Sequence, residues 1–272
     1  MDSAERTREM VREKYAAIAG ERRARPSCCG SGIETESFTE SGYRQLPGYA
    51  KDADLALGCG VPTVFASLSP GETVVDLGSG AGNDAFIAAT AVGALGRVIG
   101  VDMTPAMITR ARENAQKLGT TNVEFRLGEI ETLPVETGIA DVVISNCVLN
   151  LVPDKKRAFA EIHRILKPGG RFTVSDIVLE SEIPEPLRRS AELWAGCVSG
   201  AILGDEYLRI AREVGFDLTL EKERPIDVPA EVIARAVPEA TSPAAVRLLS
   251  VTLTGRKRRS SSSREDSDGT NH

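Results

Sequence analysis

The chain has 272 residues, of which 42% are hydrophobic and 26% charged, enough to bury a full α/β core with room for a cap or a short second lobe. A net charge of -6 offers no basic footprint for nucleic acid. No apolar run approaches the roughly 20 residues that cross a bilayer, and the first residues carry mixed charge without the apolar stretch of a signal peptide. We therefore expect a cytoplasmic protein with no nucleic-acid or membrane partner.

The N-terminal part combines a helix with a polar loop. Residues 4–24 place apolar side chains at helical spacing and predict an amphipathic helix that covers the main domain. Residues 25–50 are polar and dotted with glycine and proline, which predicts a mobile loop. This loop carries Cys28 and Cys29, and a flexible polar loop gives a thiol little to pack against. Cys59 follows in a glycine-flanked turn, ahead of a short helix that ends at Pro70.

Strands and helices alternate through the middle of the chain. The predicted strands are 73–78, 97–102, 123–128, 140–146 and 171–176, and the predicted helices are 84–92, 105–118 behind an N-capping Thr104, and 154–166 with a glycine C-cap at 167–170. Such alternation is typical of βαβ units and a parallel sheet. Ligands bind such sheets beyond the carboxyl ends of the strands, where the sequence places Asp76, Asp102, Gly128, Asn146, Cys147 and Asp176.

The last third changes pattern. It predicts helices near 184–200 and 204–214, then a closing antiparallel pair of strands at 215–220 and 245–254. From Arg256 onward the chain is basic, then serine-rich and acidic, and predicts a disordered tail. The expected organisation is an N-terminal helix and mobile loop (1–50), a cofactor-binding Rossmann-like domain (51–180), a helical cap with closing strands (181–255) and the tail (256–272).

A glycine-rich turn organises the chain. Gly78, Gly80 and Gly82 follow the first strand, where they let the backbone turn sharply and approach a ligand. The GxGxG spacing favours a cofactor without phosphates over a pyrophosphate. Asp102, at the end of the second strand, is placed to accept hydrogen bonds from a ribose diol. An acid at this spacing also serves NAD enzymes, which are the rival interpretation.

The motifs from residue 72 to 180 resemble, in order, those of the class I S-adenosylmethionine methyltransferases. That resemblance implies a Rossmann-like α/β fold, with a mostly parallel sheet of seven strands whose last strand is antiparallel. It also implies S-adenosylmethionine as cofactor. The implied cofactor-binding residues are Asp76, Gly78, Ser79, Gly80, Gly82, Asp102, Met103, Gly128, Glu129, Ile130 and Asn146.

The cysteines indicate the methyl acceptor. An odd number of cysteines, five in all, favours metal binding, redox chemistry or catalysis, although each could be a small buried hydrophobe. Histidine is scarce, since only His163 and His272 occur, and His163 is most simply a surface or packing residue. Thiolates bind soft centres. Convergent thiols without a histidine base therefore suit an acceptor that already carries a lone pair and prefers sulfur.

The segments SNCVLNLVPDK, LGCGVP and GCVSGA, around this core, resemble the arsenite methyltransferases from Cys28 to about residue 215. The resemblance implies that Cys147 and Cys197 hold trivalent arsenic and that Cys59 is a third thiol, able to ligate or to form a disulfide. Cys28 or Cys29 would supply a fourth, and Tyr43 either lies over the cofactor or makes an ordinary loop contact. The sequence departs from many relatives at Ala85, where they carry a peripheral cysteine.

The predicted function is methylation of arsenite and then methylarsenite in arsenic detoxification. The expected partners are arsenite or its thiol conjugates and a thiol reductant, glutathione or thioredoxin, and the expected state is a monomer. Two alternatives remain at this point. One is an O- or C-methyltransferase of a small metabolite with cysteines as packing residues, and the other is a thiol-rich metalloid-binding protein without turnover.

Overall fold

The computed structural model describes residues 3–20, 40–183, 200–227 and 247–258. Within these ranges the strands are β1 (Thr73–Leu77), β2 (Arg97–Asp102), β3 (Val123–Leu127), β4 (Ala140–Asn146), β5 (Leu166–Leu179), β6 (Phe216–Asp227) and β7 (Arg247–Lys257). The helices are α1 (Ser3–Gly20), α2 (Glu40–Tyr43), α3 (Pro62–Phe65), α4 (Asn83–Val92), α5 (Pro105–Leu118), α6 (Lys155–Ile165) and α7 (Gly204–Val214), with a 3₁₀ turn at Leu149–Leu151. Cys28, Cys29, Cys197, the predicted helix over 184–199 and the tail beyond 258 lie outside the described residues.

The seven strands form one sheet in the order β3-β2-β1-β4-β5-β7-β6. Strands β1 to β5 pair in parallel, and β7 runs antiparallel to both β5 and β6. This confirms the predicted sheet with its antiparallel last strand. The strand order reverses between β1 and β4, so a crevice opens at their carboxyl ends, where α/β sheets bind ligands.

The sheet is buried on both faces, which explains its nearly continuous apolar strands. Successive residues of a strand point to opposite faces, and Val74 and Val75 accordingly pack into different clusters. One face packs against α6 and α7, and the other packs against α4 and α5. No helix in the described ranges is both long and apolar enough to cross a membrane.

The junction of α6 and β5 differs from the prediction. The helix begins behind Asp154, whose carboxylate accepts the N–H of Arg157 (2.9 Å), but it ends at Ile165 without a glycine cap. Leu166 already pairs with Ala140 of β4, so strand pairing ends the helix. Its last carbonyls are satisfied from another element, because Lys257 Nζ donates to His163 O (2.6 Å) and Leu166 O (2.7 Å). β5 consequently begins five residues earlier than predicted and continues to Leu179.

Other predicted boundaries were also wrong. Residues 40–50 are part of the predicted loop, yet Glu40–Tyr43 is helical and Tyr43 is buried. Arg256 and Lys257 were assigned to the tail but complete β7, because they pair with β5 and β6. Thr104 does occupy the N-cap position of α5, although its side chain makes no capping hydrogen bond.

Replacing Phe172 with alanine is expected to lower the free energy of unfolding by about 3–5 kcal/mol. Phe172 is fully buried, with its ring 4.7 Å from that of Phe216 and 5.7 Å from that of Phe159. Urea denaturation followed by circular dichroism measures the change. As a control, Leu220→Ala removes a half-exposed side chain of β6 and should cost less than about 0.5 kcal/mol. Equal losses for the two variants would contradict this account of the core.

Candidate active site

A pocket opens at the carboxyl ends of β1, β2 and β4. Most of the predicted cofactor residues line it: Tyr43, Gly78, Ser79, Gly80, Asp102, Met103, Gly128, Glu129, Ile130 and Asn146. Asp76 and Gly82 belong to the same turn but do not line the pocket wall. The wall also includes Cys147, so the cofactor crevice and the thiol site are continuous.

The glycine-rich turn is fixed by the strands beside it. Gly78 and Ser79 donate their N–H groups to Val101 O at 2.8 and 3.0 Å. Gly78 has φ +66°, and a Cβ there would lie 2.4 Å from the side chain of Val148. Gly82 has φ +101° and would meet the rings of Phe86 and Phe125. Both positions therefore require glycine for space and for backbone conformation.

Asp102 faces the pocket from the end of β2. Its Oδ2 accepts the N–H of Gly80 (3.0 Å), and its Oδ1 accepts the N–H of Thr104 (2.8 Å). These bonds orient the carboxylate, and each oxygen keeps a further lone pair. Asp102 can therefore accept hydrogen bonds from two neighbouring hydroxyls.

Three acids form the floor beneath the glycine turn: Asp76 is buried, and Asp84 and Asp102 are partly buried. Burial first, and then the charges of Asp84 and Asp102, raise the pKa of Asp76 well above its usual value. Burial also raises the pKa of Asp84 to about 6, although hydrogen bonds from Tyr43 and Asn146 oppose the shift. Within the described residues, Asp76 Oδ2 and Ser79 Oγ are buried without a hydrogen-bond partner. Such a floor attracts a cationic ligand and repels a pyrophosphate.

Asp84 has no predicted role from the sequence. It lies eight residues after Asp76 in the first turn of α4, and this spacing across a tight turn was the available signal. Tyr43 donates its hydroxyl to Asp84 (2.7 and 2.8 Å), and Asn146 Nδ2 donates to Tyr43 (2.6 Å) and Asp84 (3.2 Å). The Tyr43 hydroxyl is thus tied to the floor of the pocket while the residue lines its wall.

Asn146 also holds the first of the site cysteines. Its Oδ1 accepts the N–H of Cys59 (3.0 Å) and of Gly60 (3.3 Å), and its Nδ2 donates to Gly60 O (2.9 Å). Ser250 donates its hydroxyl to Cys59 O (2.8 Å). The turn that carries Cys59 is therefore fastened to both β4 and β7.

Cys147 follows β4 directly. It has φ +58°, the left-handed region that non-glycine residues rarely adopt, and its N–H donates to Ser175 O (2.7 Å). Such strain persists where the surroundings hold the backbone and is common at functional sites. The bond to β5 turns the Cys147 thiol into the same space as that of Cys59.

The structure adds a carboxylate to the two thiols. Cys59 Sγ, Cys147 Sγ and a carboxylate oxygen of Asp176 all lie within 4.8 Å of one another, and all three residues are buried. The sequence placed Asp176 at a strand end without assigning it a function. β5 in fact continues three residues further, so Asp176 lies inside the strand, level with the thiols.

Asp176 is anchored from three directions. Its Oδ2 accepts the N–H of Asn150 (3.0 Å) and the hydroxyl of Tyr207 (3.1 Å), and its Oδ1 accepts its neighbour's N–H, that of Ile177 (3.0 Å). Burial raises the pKa of Asp176 to about 7, against these hydrogen bonds and the nearby charge of Lys155. Burial lowers the pKa of Lys155 to about 8. Tyr207 carried no sequence signal for this site, and Lys155 ends the segment SNCVLNLVPDK without having been assigned a role.

Helix α1 covers one side of the pocket. Arg8, Val11 and Tyr15 line its wall. Arg8 contacts Glu131 at 2.9 Å, and Arg12 contacts Glu129 at 3.4 Å. The amphipathic helix predicted to cover the main domain therefore covers the pocket itself.

Residues 68–215 match the protein family described as Methyltransferase domain. The chain is 48% identical over 230 residues to the arsenite methyltransferase of Halobacterium salinarum, covering 78% of this chain and 58% of that protein. It is 40% identical over 153 residues to the human arsenite methyltransferase, covering 53% of this chain and 40% of that protein. The crystal structure of CrArsM, an arsenic(III) S-adenosylmethionine methyltransferase from Chlamydomonas reinhardtii, superposes with a TM-score of 0.66 at 34% identity, covering 83% and 75% of the two chains.

The fold, the glycine turn and these matches define an S-adenosylmethionine-dependent methyltransferase with a Rossmann-like fold, and this excludes the NAD-enzyme interpretation. The chain spans less than two thirds of the length of the curated relatives it matches. Within that class, the chain belongs to the arsenite methyltransferase family.

The residues present fit the methyl donor. S-adenosylmethionine carries a sulfonium, an ammonium and a ribose diol. The acidic floor complements the two cationic groups, and the open lone pairs of Asp102 complement the diol. The glycine turn leaves the close approach that such a ligand needs.

Affinity for S-adenosylmethionine is expected to fall about tenfold from pH 7 to pH 5, since one unit below a pKa leaves about a tenth of a group ionised. The pKa of Asp84 is raised to about 6, so its attractive charge is present above that pH and is lost as pH falls through it. Calorimetric titration at pH 5, 6, 7 and 8 measures the profile. Asp84→Asn should flatten it, whereas Asp141→Asn, which changes a carboxylate paired with Lys167 outside the pocket, should preserve it. If the affinity of the parent depends on pH and that of Asp84→Asn depends on pH as steeply, Asp84 is not the group whose ionisation controls binding.

Proposed function

We propose that this chain methylates trivalent arsenic, arsenite first and then methylarsenite, while cysteine thiolates hold it. The supporting observation is the pair of buried thiols, Cys59 and Cys147, of which Cys147 lines the pocket that fits the methyl donor and Cys59 lies beside it. Cys197 would supply the third thiolate, and Cys28 or Cys29 would supply a further thiol. In this proposal residues 51–180 serve the cofactor, residues 181–255 close the arsenic side, and the protein acts as a cytoplasmic monomer in arsenic detoxification.

Thiol exchange would load the substrate. Arsenite arrives as thiol conjugates, and each enzyme thiol forms an As–S bond while one As–S bond to a carrier breaks. The carrier leaves as a thiol with the proton that the enzyme thiol gives up. The two described cysteines are ready for this exchange, because hydrogen bonds from Asn146, Ser250 and Ser175 fix their backbones. Soft thiolates suit arsenic(III) better than oxygen ligands do.

The protein's role in methyl transfer is positioning. Bound S-adenosylmethionine supplies an electrophilic methyl on its sulfonium. The glycine turn, Asp102 and the acidic floor would orient that ligand, while the thiolates orient the arsenic lone pair toward it. The lone pair forms the As–C bond as the C–S bond breaks, so no proton has to be removed. Holding two reactants in attack geometry can contribute roughly 7–11 kcal/mol.

No general base is therefore required, and the position of His163 agrees with this. Its ring packs against that of Phe216 at 5.3 Å, between α6 and β6, and it does not line the pocket. The interpretation of His163 as a packing residue is consistent with this contact.

Turnover would require a reductant. Methylation oxidises arsenic from the trivalent to the pentavalent state, and two enzyme thiolates return the two electrons by forming a disulfide. Glutathione or thioredoxin would then reduce that disulfide. Cys59 is a candidate for it, since its thiol already lies beside that of Cys147.

The test is arsenic speciation by mass spectrometry after incubating the purified chain with arsenite, S-adenosylmethionine and glutathione. We expect methylarsenite and dimethylated arsenic in the parent reaction. An Asp102→Ala variant, impaired in holding the ribose, should form little of either. Glu180→Ala, which removes a half-exposed carboxylate near Arg247, is the matched control and should retain the parent rate.

Unchanged arsenite in the presence of bound S-adenosylmethionine would contradict the proposal. In that case an O- or C-methyltransferase of a small metabolite would become the better assignment. Bound arsenic without bound or consumed methyl donor would instead indicate a metalloid-binding protein without turnover.

A further inference from the structure

The trio of Cys59, Cys147 and Asp176 has the composition of a cation site. It offers two sulfur donors and one oxygen donor, mutually within 4.8 Å. A tetrahedral Zn²⁺ binds sulfur at about 2.3 Å and carboxylate oxygen at about 2.0–2.2 Å, which places two sulfurs about 3.8 Å apart. The trio can reach this geometry with side-chain adjustments of about 1 Å or less.

The two sulfur donors come from backbone that is already fixed. The N–H and carbonyl of Cys59 bond to Asn146 and Ser250, and the N–H of Cys147 bonds to Ser175. All three partners belong to central strands of the sheet, β4, β7 and β5. A metal ion would therefore meet the sulfurs without first having to order a loop.

The oxygen donor keeps a free coordination position. The carboxylate of Asp176 has about four lone-pair sites, and three are used by Asn150 N–H, Ile177 N–H and the Tyr207 hydroxyl. Among the described residues, one site remains, on the oxygen that accepts from Ile177. Ligating carboxylates are typically held by such outer hydrogen bonds, which orient them toward the metal.

The surroundings favour a cation. Two thiolates and a carboxylate carry three negative charges, and binding of a divalent cation would leave a net charge of one negative unit. Two positive side chains lie nearby. The ammonium of Lys155 is directed at Asn150 O (3.2 Å) and Val152 O (3.1 Å). The guanidinium of Arg224 interacts electrostatically with Cys59. Both cysteines belong to a buried apolar cluster with Leu151, Ile177, Leu179, Ile183, Ile226 and Leu248. Apolar surroundings of this kind control the access of solvent to a metal site, here from the pocket that Cys147 lines.

We propose that Cys59, Cys147 and Asp176 bind a divalent thiophilic cation, represented by Zn²⁺. Zn²⁺ replaces the two thiol protons, which pass to the buffer, and no electron is transferred. Three protein donors leave one coordination position open. The inference goes beyond the proposed function, since binding of the cation requires neither the methyl donor nor turnover.

The test uses Co²⁺ as a spectroscopic substitute for Zn²⁺. Titrating the reduced, full-length protein should produce a thiolate-to-cobalt charge-transfer band and tetrahedral d–d bands that saturate at one equivalent. Zn²⁺ should displace the Co²⁺. We expect Cys59→Ser and Cys147→Ser to lose the bands and Asp176→Asn to weaken binding at least tenfold. Asp141→Asn, which changes a carboxylate paired with Lys167 outside the pocket, should bind Co²⁺ as the parent does. Bands that persist in both cysteine variants, or unweakened binding by Asp176→Asn, would overturn the proposal.

A second measurement uses the parent protein alone. This matters because Asp176→Asn also disturbs the hydrogen bonds to Asp176: one of its three buried donors would then face the amide NH₂ group and lose its acceptor. X-ray absorption of the Zn²⁺-loaded parent should show sulfur at about 2.3 Å together with oxygen at about 2.0–2.2 Å. A shell of sulfur alone would overturn the assignment of Asp176. Methylation is assayed separately, so an inactive chain that still binds Co²⁺ would refute the proposed function and leave the cation site standing.

Discussion

Cys147→Ser is expected to reduce methylation of both arsenite and methylarsenite at least about 10³-fold, equivalent to roughly 4 kcal/mol of lost transition-state stabilisation. Cys147 is the thiol that both lines the pocket and meets Cys59. Serine has nearly the same shape, but its hydroxyl is a poor ligand for a soft centre. Steady-state assays with each arsenical measure the loss.

Two controls separate chemistry from folding in this experiment. The affinity of Cys147→Ser for S-adenosylmethionine should stay within about threefold of the parent, because the glycine turn and Asp102 are unchanged. Ser145 lies two residues before Cys147, and its buried hydroxyl donates to Leu77 O. The Ser145→Ala variant removes this hydroxyl and should keep the parent activity. Methylation at the parent rate by Cys147→Ser would remove Cys147 from the arsenic site.

Cys59→Ser is expected to separate the two substrates. The rate of arsenite methylation should fall at least about 100-fold, whereas the rate of methylarsenite methylation should stay within about tenfold of the parent rate. The reason is that an arsenic that already carries one carbon needs one thiolate fewer. The substitution leaves the bonds from the Cys59 backbone to Asn146 and Ser250 in place. The ratio of the two rates is the measured quantity.

The matched variant for that experiment is Ser250→Ala, which keeps the thiol and removes the hydrogen bond to the Cys59 carbonyl. A general disturbance of the turn should slow both substrates alike and leave their ratio unchanged. An unchanged ratio in Cys59→Ser would mean that Cys59 acts on the site through structure rather than as a ligand.

The parallel sheet was predictable because its signals are local. Apolar runs ending at Asp76, Asp102 and Asn146, separated by helices with glycine and proline boundaries, define βαβ units without knowledge of long-range contacts. The seven-stranded sheet followed from these runs together with the resemblance, and the structure and the related proteins confirm it. The residues predicted to bind the cofactor stay a prediction, although most of them line one pocket.

What the sequence could not supply depends on contacts between distant segments. Asp176 lies 29 residues from Cys147 and 117 from Cys59 along the chain, and only the pairing of β5 with its neighbours brings the three together. The early end of α6 has the same origin, since the Ala140–Leu166 pairing and Lys257 decide it. Local patterns of hydrophobicity contain neither fact.

Helix α1 has a practical consequence for anyone who shortens this chain. A fragment starting at residue 51 would retain every strand but lose Arg8, Val11, Tyr15 and Tyr43, and with them one side of the pocket wall. Such a fragment would bind its ligand weakly even when it is folded. The weak binding would then be attributed to residues of the sheet, although its cause is the missing side of the pocket. Conversely, a ligand in this pocket would contact both α1 and the ends of the strands, so its presence should protect α1 from proteases.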